Sequence, residues 1–93
     1  MTAEELHHKI QQLITDGQLE EAQSLITDSL AEGGDKGTLY YLQGKLHARK
    51  ADWSKALSAY LKAEAINPDG PAKDAREMLS GIFDFYCTDY YNP

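Results

Sequence analysis

The chain has 93 residues, a formal net charge of −6 and 42% hydrophobic residues. That length allows one small domain, 1–93, with a real core but little stability in reserve. The acidic total argues against nucleic-acid binding, which needs cations opposite the phosphates. No apolar run reaches the roughly 18 residues of a spanning helix, so no membrane role is expected. The opening MTAEELHHK lacks the apolar centre of a signal peptide. The single cysteine, Cys87, leaves no internal disulfide framework and fits a reducing compartment. Together these features predict a cytoplasmic protein.

The first helix is expected from Ala3 to Thr15, with Leu6, Ile10, Leu13 and Ile14 turned inward. Asp16-Gly17 is a turn signal. A second helix is expected from Leu19 to Ala31, burying Leu19, Ala22, Leu25, Ile26 and Leu30. The segment Glu32–Gly37 holds three glycines and ends that helix as a linker between units.

The stretch Gly37–Gly70 organises the chain. Leu39, Leu42 and Leu46 fall at i, i+3 and i+7 on one helical face. Gly44 and Ala56 lack bulk, so two antiparallel helices can approach closely there, with Tyr40, Trp53 and Tyr60 filling the space around the contact. Asp52-Trp53 marks the turn. Pro68 closes the unit, since it has no N–H and clashes with a preceding helical turn. After Gly70 a fifth helix is expected over 71–87, opened by Pro71, where a missing N–H costs nothing. Its apolar stripe reads Ala75, Met78, Leu79, Ile82, Phe83 and Tyr86. Residues 88–93 form a short aromatic tail.

Charge is distributed unevenly. Residues 1–36 carry two basic and eight acidic side chains, residues 37–70 five basic and three acidic, and residues 71–93 two basic and four acidic. The middle is the region suited to an anion. Lys45 and Arg49 stand there at i, i+4, with Tyr41 one turn earlier.

Little points to chemistry. Cys87 has no base or oxyanion donors at a readable spacing and reads as a small hydrophobe. His7 and His8 are adjacent and point about 100° apart on a helix, and the i, i+4 histidine pair of metal-binding helices is absent. His47 reads as a packed histidine with one hydrogen bond. Glu4-Glu5 and Glu20-Glu21 sit where carboxylates favour a helix N-terminus. The expectation is therefore no enzyme, no metal and no cofactor.

Residues 37–70 resemble one complete tetratricopeptide repeat, a 34-residue helix–turn–helix unit with small and large residues at set places. Tyr40, Gly44, Ala56, Tyr60, Ala63 and Pro68 match. Gln43, where leucine is usual, and His47, where tyrosine is usual, depart. Stepping back 34 residues gives Leu6, Ile10, Ala22, Ile26, Ser29 and Gly34, a degenerate repeat over 3–36, with Ile10 a poor stand-in for glycine. The resemblance implies an all-α superhelix of two repeats plus a C-terminal capping helix. It also implies a protein–protein interaction module that holds an unidentified protein or peptide segment, extended or acidic, in a concave groove. First helices line that groove in this family, so the candidate residues are His7 and Gln11 from the first repeat and Tyr41, Lys45 and Arg49 from the second, joined by Arg76 on the fifth helix. The alternative is a structural subunit that pairs as a homodimer through its aromatic end, at Phe85, Tyr90 and Tyr91.

Overall fold

A computed structural model describes residues 2–79. The described residues are all helix or connecting turn. Four helices precede a fifth: α1 (Ala3–Thr15), α2 (Leu19–Ala31), α3 (Lys36–Arg49) and α4 (Trp53–Ile66), then α5, described over residues 72–79. The expected bounds of the first two helices are those observed. The expected aromatic contacts of Ile82, Phe83, Phe85, Tyr86, Tyr90 and Tyr91 lie outside the described residues.

Each hairpin is made by a local rule. Thr2 caps α1, its hydroxyl accepting from the Glu5 N–H at 3.2 Å, which satisfies one of the orphan donors of a first turn. The chain then reverses through Gly17, whose φ is +84°, while the Gln18 N–H reaches back to the Leu13 carbonyl at 2.8 Å. Gly33, with φ +83°, ends α2 in the same way, the Gly34 N–H donating to the Ser29 carbonyl at 2.8 Å. Both are left-handed helix endings that favour glycine. Lys36 and Gly37 are the first turn of α3, not linker. Asp35 starts that helix one residue early by taking the Thr38 N–H on Oδ1 at 3.4 Å and the Thr38 hydroxyl on Oδ2 at 2.9 Å.

The turn between α3 and α4 repeats the hydrogen-bonding of the α1–α2 turn with different residues. The Asp52 N–H donates to the His47 carbonyl at 2.9 Å, but the left-handed position holds Ala51, at φ +59°. A Cβ there is unfavourable by about 1–2 kcal/mol. Asp52 offsets this by capping α4, accepting from the Lys55 N–H at 3.3 Å.

The core runs along the stack. Ile10, Ile14, Ala22, Ile26, Leu39, Leu42 and Leu46 form one buried cluster that joins α1, α2 and α3. Ala56, Tyr60 and Leu79 form a second, which joins α4 to α5 and takes in Tyr41, Trp53 and Ala75. Met78 does not belong to it. It is 75% exposed, because Ala72, Ala75 and Leu79 supply the face of α5 that meets the rest of the fold and Met78 falls one residue outside that stripe.

At Gly44 α4 packs directly onto the backbone of α3. An added Cβ at Gly44 would lie 2.5 Å from Cδ1 of Tyr60, so the Tyr60 ring lies directly on the glycine backbone. The matching pair in the first hairpin is Ile10 and Ile26, both fully buried. Two medium side chains there do the work of one ring and no side chain here.

Two mutational outcomes follow from this packing. Alanine gains about 1 kcal/mol over glycine in an open helix, yet overpacking costs about 1–3 kcal/mol, and the Tyr60 ring has no room to move. Gly44→Ala should therefore lower the denaturation midpoint in urea. In a Tyr60→Leu background the same substitution should raise it, a change of sign that a double-mutant cycle reads directly. At the α3–α4 turn, Ala51→Gly should stabilise the chain by about 1 kcal/mol through relief of the left-handed strain, a thermal shift of about 4–8 °C for a domain of this size.

Candidate functional site

A pocket of about 200 Å³ opens where α1, α3, α4 and the start of α5 come together. The first turns of α1 bring His7, His8 and Gln11 to it. The capped start of α3 brings Gly37, Thr38, Tyr41 and Leu42. Ala63 and Asn67 come from the end of α4, and Gly70, Pro71 and Ala72 from the entry to α5. Leu42, Ala63 and Ala72 are buried and make an apolar floor. Around it stand His7, His8, Gln11, Tyr41 and Asn67, whose side chains form no hydrogen bond among the described residues.

Three of the six groove candidates, His7, Gln11 and Tyr41, line this pocket together. Lys45 does not line the pocket but lies beside a residue that does: its Nζ is 5.6 Å from the centroid of the Tyr41 ring, a cation–π distance. Arg49 is exposed and does not line the pocket. Arg76 does not line it either, since its guanidinium is held in a forked pair with Glu64 of α4. Nε donates to Oε2, and Nη2 donates to Oε1 at 3.3 Å. The fork holds the Glu64 carboxyl below the usual carboxylate range. Arg76 ties α5 to α4, a positioning task that its sequence position did not disclose.

The pocket wall is tied to the core through two rings. Tyr41 meets Tyr60 with centroids 5.9 Å apart and planes tilted by 38°. Burial, with Tyr41 as a lesser contributor, pushes the Tyr60 hydroxyl up to about 12, so it stays a neutral phenol. Asp35, near the mouth of the pocket, has both oxygens on Thr38. Those bonds hold its carboxyl below the usual range, with His7 as a smaller contributor.

His8, Thr38 and Asn67 were not singled out from the sequence. Thr38 had a readable signal, since Thr38, Tyr41 and Lys45 are spaced i, i+3, i+7 on the face that carries the groove. Asn67 had none, because it caps the end of α4 and only the packing of that helix carries it to the pocket.

On the opposite side of α3, Gln43, His47, Lys55, Ser58 and Lys62 line a shallower depression. Among the described residues the expected hydrogen bond of His47 is not present: its Nδ1 is buried without a partner. Burial, above all, holds the imidazole below its ordinary range, opposed by Asp52 and reinforced by Lys50 and Lys55.

Among the described residues no group of three or more His, Cys, Asp or Glu side chains is placed to hold a metal ion, and no helix is long and apolar enough to cross a membrane.

The solution NMR structure of Bacteroides fragilis protein BF1650 matches this fold with a TM-score of 0.81 and 38% sequence identity, over 92% of this chain and 88% of that one. No protein-family model and no curated protein sequence matches the chain. At that identity and coverage the chain belongs to the same family as BF1650.

The histidine sets a pH dependence. An unfolded histidine takes its proton near pH 6.5, while folded His47 resists it. The unfolded state then binds more protons, so stability falls as pH drops below about 6.5 and is unaffected above it. His47→Gln should flatten the slope of the urea midpoint between about pH 6.5 and 5. An unchanged slope would show that the proton uptake lies elsewhere.

Proposed function

We propose that the chain is a tetratricopeptide-type protein–protein interaction module, acting in the cytoplasm, that holds a segment of another protein in the groove built by α1, α3 and the start of α5. The observation that carries this reading is the pocket itself. It combines a buried apolar floor at Leu42, Ala63 and Ala72 with five polar side chains that have no partner within the described chain. Ligand sites have this composition: an apolar surface for affinity and a few polar groups for orientation. Amide side chains such as Gln11 and Asn67 offer both a donor and an acceptor, which suits the exposed N–H and C=O groups of an extended peptide.

The match of Tyr40, Gly44, Ala56, Tyr60, Ala63 and Pro68 to the tetratricopeptide pattern supports the same reading. So does the in-phase recurrence of the α1–α2 turn in the α3–α4 turn, from Gly17 to Ala51. The task needs no catalytic group, and none of the pocket side chains is arranged as a nucleophile with its base.

Gln11 and Asn67 are both exposed, so the double substitution Gln11→Ala/Asn67→Ala should leave the helical circular dichroism and the melting temperature unchanged. Capture of partners from an extract of the native cell, quantified against wild type, should fall by about tenfold, the equivalent of roughly 1.4 kcal/mol. Undiminished capture by the double variant would remove the groove from the function.

A further inference from the structure

The pocket's size and its donors say what kind of segment it selects. An apolar cavity of about 150 Å³ is enough to hold benzene, and this pocket measures about 200 Å³. Its floor of Leu42, Ala63 and Ala72 and the Tyr41 ring at its side therefore accommodate one aromatic side chain, with Tyr41 available for a tilted ring contact.

The electrostatics of the rim are as selective as the floor. The protein carries 15 acidic residues and a net charge of −6, yet no carboxylate is among the residues that line the pocket. Two carboxylates on the surrounding elements are engaged elsewhere, Asp35 by Thr38 and Glu64 by Arg76, while Asp69, between the lining residues Asn67 and Gly70, is exposed. What lines the pocket is a set of groups that each donate as well as accept, the imidazoles of His7 and His8 and the amides of Gln11 and Asn67, with the Lys45 ammonium, a donor alone, beside Tyr41. Lys45 forms no ion pair among the described residues. A single ammonium 5.6 Å from the centroid of the Tyr41 ring, a ring that lines the pocket, matches a single carboxylate placed next to the seated ring.

We propose that the segment held here is an internal, extended peptide in which one aromatic residue fills the pocket and an Asp or Glu within two positions of it meets Lys45. This rests on the groove reading and deepens it.

A display library of random internal peptides, fused at both ends and selected on the full chain, tests this. The expected result is enrichment of Phe, Tyr or Trp at one position with Asp or Glu within two positions of it. An enriched peptide, synthesised with acetylated and amidated ends, should shift the amide resonances of Gln11, Thr38 and Tyr41. Its affinity should fall about tenfold when its acidic residue is changed to the amide, and similarly for the Lys45→Gln variant. It should weaken further as salt rises, because exposed charges are screened over about 10 Å at 0.1 M. Enriched peptides that shift the same resonances but carry no acidic residue, or bind equally to Lys45→Gln, overturn this inference and leave the groove reading standing. Peptides that shift resonances elsewhere, or a library with no enrichment, overturn both.

Discussion

The contact between the Gly44 backbone and the Tyr60 ring is the constraint on which the groove depends. The ring is 5% exposed, and the glycine leaves it no space beyond van der Waals contact. On its other side Tyr60 meets Tyr41, and Tyr41 carries Lys45 over its face. Position thus passes from the α3–α4 interface through two rings to the wall of the pocket and the ammonium beside it. Interiors are packed densely enough that such a chain of contacts does not deform smoothly. A wall held this way is preformed, and preformed sites lose less conformational entropy on binding.

The two hairpins solve one packing problem with different volumes. In the first, Ile10 and Ile26 share the space. In the second, all of it goes to Tyr60 and none to Gly44. Volume-conserving exchange of this kind is what cores tolerate best. It also shows why the first hairpin keeps its place without a glycine. The turns differ in the opposite sense: the first has Gly17 at the left-handed position and an uncapped α2, while the second carries Ala51 there and compensates with the Asp52 cap. Each hairpin combines one favourable local choice with one poorer one.

Charge is used structurally at the periphery and left unpaired at the pocket. The Arg76–Glu64 fork fastens α5 to α4 across partly exposed surface. There ion pairs add modest stability, and the planar fork also fixes orientation. Asp35 is spent on the first turn of α3. Both arrangements engage carboxylates that would otherwise be free, and the side chains of His7, His8, Gln11, Tyr41 and Asn67 that line the pocket form no hydrogen bond among the described residues.

The helices themselves were determined by the sequence alone. The apolar spacing in Ala3–Thr15 and Leu19–Ala31 and the signals at Asp16-Gly17 and Pro68 are local, and local rules of periodicity, capping and turn geometry act over a few residues. The small residue at Gly44 and the large one at Tyr60 were also readable, because close helix approach requires that pairing. Three of the twelve residues that line the pocket were legible from the sequence: His7, Gln11 and Tyr41 lie on α1 and α3. Tertiary structure decided the rest. Arg76 left the groove for Glu64, twelve residues away, since a long side chain goes to whichever partner the fold brings near. Met78 turned outward because the rotational phase of α5 is set by the contacts of Ala72 and Leu79, not by its own hydrophobicity. Asn67 and Pro71 joined the pocket through a chain reversal whose direction no periodicity encodes. Short-range pattern specifies elements and their faces, whereas side chains from separate segments meet only where packing of those faces places them.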